Sequence, residues 1–132
     1  MNTLQVFAAP LGRFLIAIIF FLSGVTKVTQ YAGTQGYMES MGVPGALLPL
    51  VILTEVIGGV AIIIGWKTRY AAIALAGFSV LATVFFHNDF SVQAEMISFM
   101  KNLAIAGGFL MIFANGPGSY ALDNRLKKKY NE

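Results

Sequence analysis

Apolar residues along this chain collect into four long runs, and polar residues are confined largely to the gaps between them. The first run extends from about Phe7 to Val28, with Arg13 and Lys27 near its two ends. The second covers about Ala46 to Gly65 and is interrupted by Glu55; the third covers about Tyr70 to His87. The fourth starts near Phe99 and ends at Asn115, where Gly116-Pro117-Gly118 follows. Glycine suits the left-handed residue after a helix and proline cannot continue one, so this group is a strong stop. A membrane-spanning helix needs roughly 20 mostly apolar residues. Each run meets that requirement, and none leaves the broad polar face that a water-solvated helix needs.

Composition reinforces this choice of solvent. Of the 132 residues 57% are hydrophobic and 11% are charged, against about 25% charged in a typical soluble domain. Mean hydropathy is +0.72. A chain this short is expected to form a single domain over residues 1–132, and a small domain has a large surface to cover. Nine Lys/Arg and six Asp/Glu cannot cover it against water, whereas lipid solvates apolar surface directly. The expected fold class is therefore an all-α membrane protein, a four-transmembrane-helix bundle whose main partner is the lipid bilayer.

Loop charges orient the bundle. Lys67 and Arg69 occupy the second loop, and Arg125, Lys127, Lys128 and Lys129 follow the fourth run. The first loop, Thr29 to Gly45, and the third, Asn88 to Ser98, contain acids but neither Lys nor Arg. The positive-inside rule then places both termini in the cytoplasm, N-in/C-in. Tyr31, Tyr37, Trp66, Tyr70, Phe90 and Tyr120 fall near span ends, where amphipathic rings collect. The first run lacks the Lys cluster and cleavage site of a secretory signal, so it is expected to be a retained helix.

The net charge of +3 and the pI near 9.3 do not imply nucleic acid, because the basic residues edge apolar runs instead of forming a basic face. Absence of cysteine removes disulfides, thiolate metal sites, iron–sulfur clusters and thiol redox cycles from this chain. Glu55, His87 and Asp89 show no metal-type spacing. Gly58-Gly59, Gly107-Gly108, Ala104 with Gly108 and Ala72 with Ala76 are small residues suited to close helix approach.

The informative residues are those that lipid tolerates poorly: Arg13, Lys27, Glu55, His87, Lys101 and Asn102. A central charge costs at least about 2.5 kcal/mol on insertion scales, so it calls for a partner or a function. Lys27, His87 and Lys101-Asn102 lie at the outer ends of their runs, and Glu55 lies roughly 13 Å in from that side at about 1.5 Å per residue. Arg13 alone approaches from the cytoplasmic side. Arg13, Phe20, Gly24 and Lys27 share one helical stripe, and Glu55, Gly59, Ile62 and Trp66 share another. These phases predict a polar pocket in the outer half of the bundle, with Glu55 at its floor facing basic groups of the first and fourth spans. Each residue also has a plainer account: Lys27, Lys101 and Arg13 snorkel to headgroups, His87 bonds a loop, and Glu55 is either protonated or paired as a structural bridge.

Several of these segments together resemble a known family. Gly24-Val25-Thr26-Lys27, Met41-Gly42-Val43-Pro44, Glu55-Val56-Ile57-Gly58-Gly59 and Gly65 with Thr68-Arg69 are similar to the DoxX family of small bacterial inner-membrane proteins. Phe86-His87, Phe99-Met100-Lys101-Asn102-Leu103, Gly107-Gly108 and Gly116-Pro117-Gly118 continue the likeness through nearly the whole chain. The resemblance implies a multi-pass protein of the bacterial inner membrane. It also implies a redox connection, since DoxD-type relatives are membrane subunits of a thiosulfate:quinone oxidoreductase and some DoxX-like proteins belong to oxidative-stress assemblies. Carried onto this chain, it points to the same six polar residues.

Three functions compete on these grounds. One is a subunit, not an enzyme on its own, that serves a redox partner protein and holds a quinone or small anion in the pocket. Another is a structural or assembly component whose polar residues fix helix register. The third is a small proton-linked carrier, which with four spans would have to work as a homo-oligomer.

Overall fold

The computed structural model describes residues 2–131, with side chains through Lys127. Six helices follow one another: α1 (Thr3–Thr29), α2 (Tyr31–Ser40), α3 (Leu48–Ile64) entered through a 3-10 turn at Gly45–Leu47, α4 (Thr68–Phe86), α5 (Gln93–Asn115) and α6 (Leu122–Asn131). Four segments are long and apolar enough to cross a membrane: α1, Gly45–Ile64, α4 and α5. The side chains of Lys128 and Lys129, part of the basic tail in the sequence, lie outside the described residues.

Local chemistry sets the helix ends. Asn2 caps α1: its side-chain oxygen accepts from Gln5 N at 2.9 Å, and its backbone N–H donates to Gln5 Oε1 at 3.1 Å. This reciprocal pairing satisfies two otherwise orphaned groups and starts the helix four residues before the apolar run. Pro49 opens α3 and Gly65, at φ 76°, closes it in the left-handed region. Two further departures from the sequence reading concern polar segments. The first loop contains α2, and α5 begins at Gln93 instead of Phe99. Both stretches lack a continuous apolar run, so hydropathy alone does not reveal them.

The bundle is assembled from two tight pairs, α1 on α3 and α4 on α5, which meet largely through α3 and α4. Glycine allows the first pair. A Cβ on Gly59 would stand 3.1 Å from Phe21 N and 3.3 Å from Ala17 O, so the α1 and α3 backbones nearly touch. A Cβ on Gly24 would stand 2.6 Å from Val56 Cγ2 and 3.2 Å from Glu55 Cβ. Ala72 and Ala76 are buried as their spacing suggests, whereas Ala104 is exposed. The core lies midway along the spans, where Phe20 packs edge-to-face on Phe109 and Phe78 at centroid distances of 5.4 and 6.3 Å. On either side of this aromatic plug the helices do different things.

Toward the termini a smaller pocket of about 280 Å³ lies between α1 and the end of α5, with Arg13 in its wall. Arg13 is only 3% exposed, and its guanidinium donates to the carbonyls of Ile62 at 2.9 Å, Ile63 at 3.0 Å and Tyr120. The first two belong to the last turn of α3, where free carbonyls and the helix dipole both favour a cation. Asp123, from the C-terminal segment, caps α4 across the chain. Its carboxylate accepts from Lys67 N at 2.6 Å, Thr68 N at 2.9 Å and Thr68 Oγ1 at 2.7 Å, while Asp123 N donates to Gly65 O at 2.9 Å.

Candidate functional site

Beyond the plug, toward the α4–α5 loop, the two helix pairs separate and enclose a cavity of about 450 Å³. Its polar wall comes from α1 and α3. The close approach at Gly24 and Gly59 brings the side chains one turn along into reach of each other. Lys27 Nζ contacts Glu55 Oε1 at 2.8 Å and donates to Ser23 Oγ at 2.6 Å. Glu55 is 2% exposed and Lys27 25%, so the pair spans from the buried wall into the cavity. The second carboxylate oxygen, Glu55 Oε2, is buried without a hydrogen-bond partner among the described residues.

The opposite walls are mainly rings and aliphatic chains. Phe20, Phe78, Phe85 and Phe86 line the cavity, with Asn102 and Ile105 from α5. The α2 helix covers the far end with Thr34, Tyr37 and Met38, and Tyr37 stacks on Phe86 with centroids 5.5 Å apart. His87, at the end of α4, also lines the cavity and pairs through Nδ1 with Glu95 Oε2 at 3.0 Å. Because α5 starts early, Glu95 sits in its first turn, where the helix dipole favours an acid.

Four of the six polar residues named from the sequence, Lys27, Glu55, His87 and Asn102, therefore meet around one space. The other two do not. Arg13 shares the buried stripe of α1 with Lys27 but occupies the opposite end, held by backbone carbonyls. Lys101 is exposed on α5 and lies outside the cavity lining, so among the described residues Glu55 meets a basic partner from the first span only. Adjacent helical residues point about 100° apart, which sends Asn102 inward and Lys101 outward. The space is also less polar than expected, since most of its lining is apolar. Sequence reasoning missed Ser23, Tyr37 and Glu95. Ser23 was findable, standing four residues before Lys27 on the same face; the other two depend on helices that hydropathy does not show.

The geometry suits recognition of a flat or elongated apolar molecule whose polar end meets the ion pair. A volume of this size, apolar lining and few convergent polar groups are general features of small-molecule sites. Among the described residues no cluster of three or more metal-type ligands occurs.

Comparison with known proteins agrees with this architecture. The chain is 48% identical over 130 residues to inner membrane protein YqjF of Escherichia coli (strain K12), covering 98% of this chain and all of that protein. It is 33% identical over 140 residues to inner membrane protein YphA of the same organism, covering 95% of this chain and all of that protein. CatD of Bacillus subtilis (strain 168), whose name provisionally designates an oxidoreductase, is 32% identical over 85 residues, 63% of each chain. No solved structure matches. The DoxX family model matches residues 8–88, a stretch that includes Lys27, Glu55 and His87. With full-length relatives in the bacterial inner membrane and four spans of the required length, this protein is a multi-pass inner-membrane member of the DoxX family.

Proposed function

We propose that this protein is a partner-dependent membrane subunit of a redox process, and that its cavity holds the ring of a quinone. The observation that carries the reading is the Lys27–Glu55 ion pair set into the wall of an otherwise apolar, aromatic space. A buried charged pair costs desolvation energy that packing with apolar side chains would avoid, so its presence beside a cavity favours a ligand. A quinone matches both halves of the site: a flat ring for Phe20, Phe78 and Phe86, and oxygens for Lys27. The cysteine-free chain has no thiol couple of its own, which assigns electron transfer to the ligand and a partner protein. The oxidoreductase designation of CatD is consistent with that assignment.

Titration of a short-chain benzoquinone into the purified protein in lipid nanodiscs tests the reading. Saturable binding above empty nanodiscs is expected, and Ala82→Trp, which fills the cavity, should abolish it. Uptake equal to that of empty nanodiscs, under both oxidising and reducing conditions, would remove the proposal.

We also propose that the cavity end faces the periplasm and the termini face the cytoplasm. Lys67, Arg69, Arg125 and Lys127 gather at the termini end, as the positive-inside rule requires. Since the chain has no cysteine, single cysteines at Asn88 and Arg125 can be labelled without background. A membrane-impermeant reagent applied outside should modify only the first.

A structural role is the second reading, favoured by the same ion pair because it joins α1 to α3. It predicts strong energetic coupling between Lys27 and Glu55 with no ligand effect.

A further inference from the structure

Two features of the cavity define its ligand more closely than the quinone reading on which this inference rests. The first is access. Tyr37 and Met38 of α2 cover the cavity at its far end, and the stack of Tyr37 on Phe86 closes that side. On the flanks the cavity lining reaches the outer surface of the bundle: Ile19 of α1 is 56% exposed and Leu81 of α4 is 58% exposed. In a bilayer that outer surface is hydrocarbon. The open route therefore runs between the helix pairs from lipid, and the ligand is one that dissolves there.

The second is hydrogen-bond capacity. An ionised carboxylate only accepts, and an ammonium only donates. Lys27 uses two of its three N–H groups on Glu55 Oε1 and Ser23 Oγ. Glu55 Oε2 has no donor among the described residues, and an unpaired charged oxygen in a low-dielectric site is costly. Glu55 lines the cavity and the terminal torsion of a glutamate is broad, so rotation about it is the movement that presents Oε2 to a ligand. The site thus offers one free acceptor beside one free donor.

We infer that the Glu55 carboxylate makes this a site for a bilayer-dissolved hydroquinone in preference to its oxidised quinone. A phenolic hydroxyl donates to Glu55 Oε2 and accepts from Lys27 at the same time. A quinone carbonyl accepts from Lys27 but meets Oε2 with lone pairs opposed. The reduced form makes one more hydrogen bond to a charged group, which at typical strengths is worth at least about tenfold in affinity.

The test is anaerobic equilibrium titration of the nanodisc-embedded protein with a short-chain benzoquinone and, separately, its hydroquinone. The hydroquinone should bind at least tenfold more tightly, and Glu55→Gln, whose amide both donates and accepts, should bring the two within threefold. Equal affinities in the wild type, or a ratio kept in the variant, overturn the selectivity while leaving the quinone reading intact. Failure of both forms to bind overturns both. Should Glu55→Gln fail to fold, the wild type alone decides by redox titration. A tenfold preference raises the midpoint potential of the bound two-electron couple by about 30 mV, and an unshifted or lowered potential is the contrary result.

Discussion

Arg13 and Lys27 lie on the same buried stripe of α1, roughly 21 Å apart at about 1.5 Å per residue, and they meet opposite fates. Arg13 points its planar fork at three backbone carbonyls, two of them the unsatisfied end of α3. Lys27 meets a carboxylate that keeps one oxygen free and a cavity beyond it. At the first end the helix terminus and the C-terminal segment supply three carbonyls to the two terminal nitrogens of Arg13, and its Nε stays buried without a partner among the described residues. At the other, the helix pairs diverge and leave capacity unused. Residue type and insertion cost are alike at both ends; what separates a staple from a candidate binding group is that Arg13 is held by backbone carbonyls of two other segments, whereas Lys27 and its carboxylate line the larger apolar cavity.

The sharpest way to break this contrast is to remove the staple. Arg13→Met leaves the carbonyls of Ile62, Ile63 and Tyr120 without their donor and should lower stability by about 4 kcal/mol, in the range for removing one side of a buried charged contact. Reversible unfolding in mixed micelles measures it, and a loss below about 1 kcal/mol would show that the carbonyls find other donors. Arg13→Lys should recover little, because an ammonium cannot reproduce the fork.

Next in size, Lys27→Met strands the Glu55 carboxylate and should cost about 3 kcal/mol, whereas the double variant Lys27→Met/Glu55→Leu should regain most of the loss. Strict additivity in this cycle would mean that the ion pair contributes nothing as a pair. Gly24→Ala introduces a Cβ 2.6 Å from Val56 Cγ2 and 3.2 Å from Glu55 Cβ. Overpacking of this kind should destabilise by about 2 kcal/mol and weaken quinone binding by prising α1 from α3. Asp123→Ala removes the cap of α4, with an expected cost of about 1 kcal/mol and faster amide exchange at Lys67 and Thr68 but no change at the cavity. Smallest of all, Lys101→Ala should leave both stability and ligand binding at wild-type values. A clear effect on binding there would return Lys101 to the site.

How much of this was legible beforehand follows from the range of the interactions. Four spans, and the stripe joining Phe20 and Gly24 to Lys27, are properties of short windows and were readable from hydropathy and helical phase. Glu55 stands out because a carboxylate in an apolar run is costly, and helical phase offers it basic partners on the first and fourth spans, of which the structure supplies Lys27. Arg13 enters the set of six through its insertion cost, although its depth already places it toward the opposite end from Lys27. Lys101 is expected at the pocket because its neighbour Asn102 shares its depth, and depth does not resolve rotation about the axis. The contacts of Asp123, more than 50 residues from Thr68, leave no local periodicity to detect. The α2 cover is legible only in part, since its glycines and polar residues obscure a helix that Tyr37 and Met38 anchor through tertiary packing.

The trans-cap formed by Asp123 also bears on how the molecule is made. The turn between α3 and α4 emerges midway through translation, but the carboxylate that completes it arrives more than 50 residues later. Until then the first amides of α4 have water or lipid headgroups as partners, and Arg13 lacks its Tyr120 acceptor. The nascent protein can thus insert its first three spans while this end stays unlatched, and docking of the last segment becomes the step that finishes assembly.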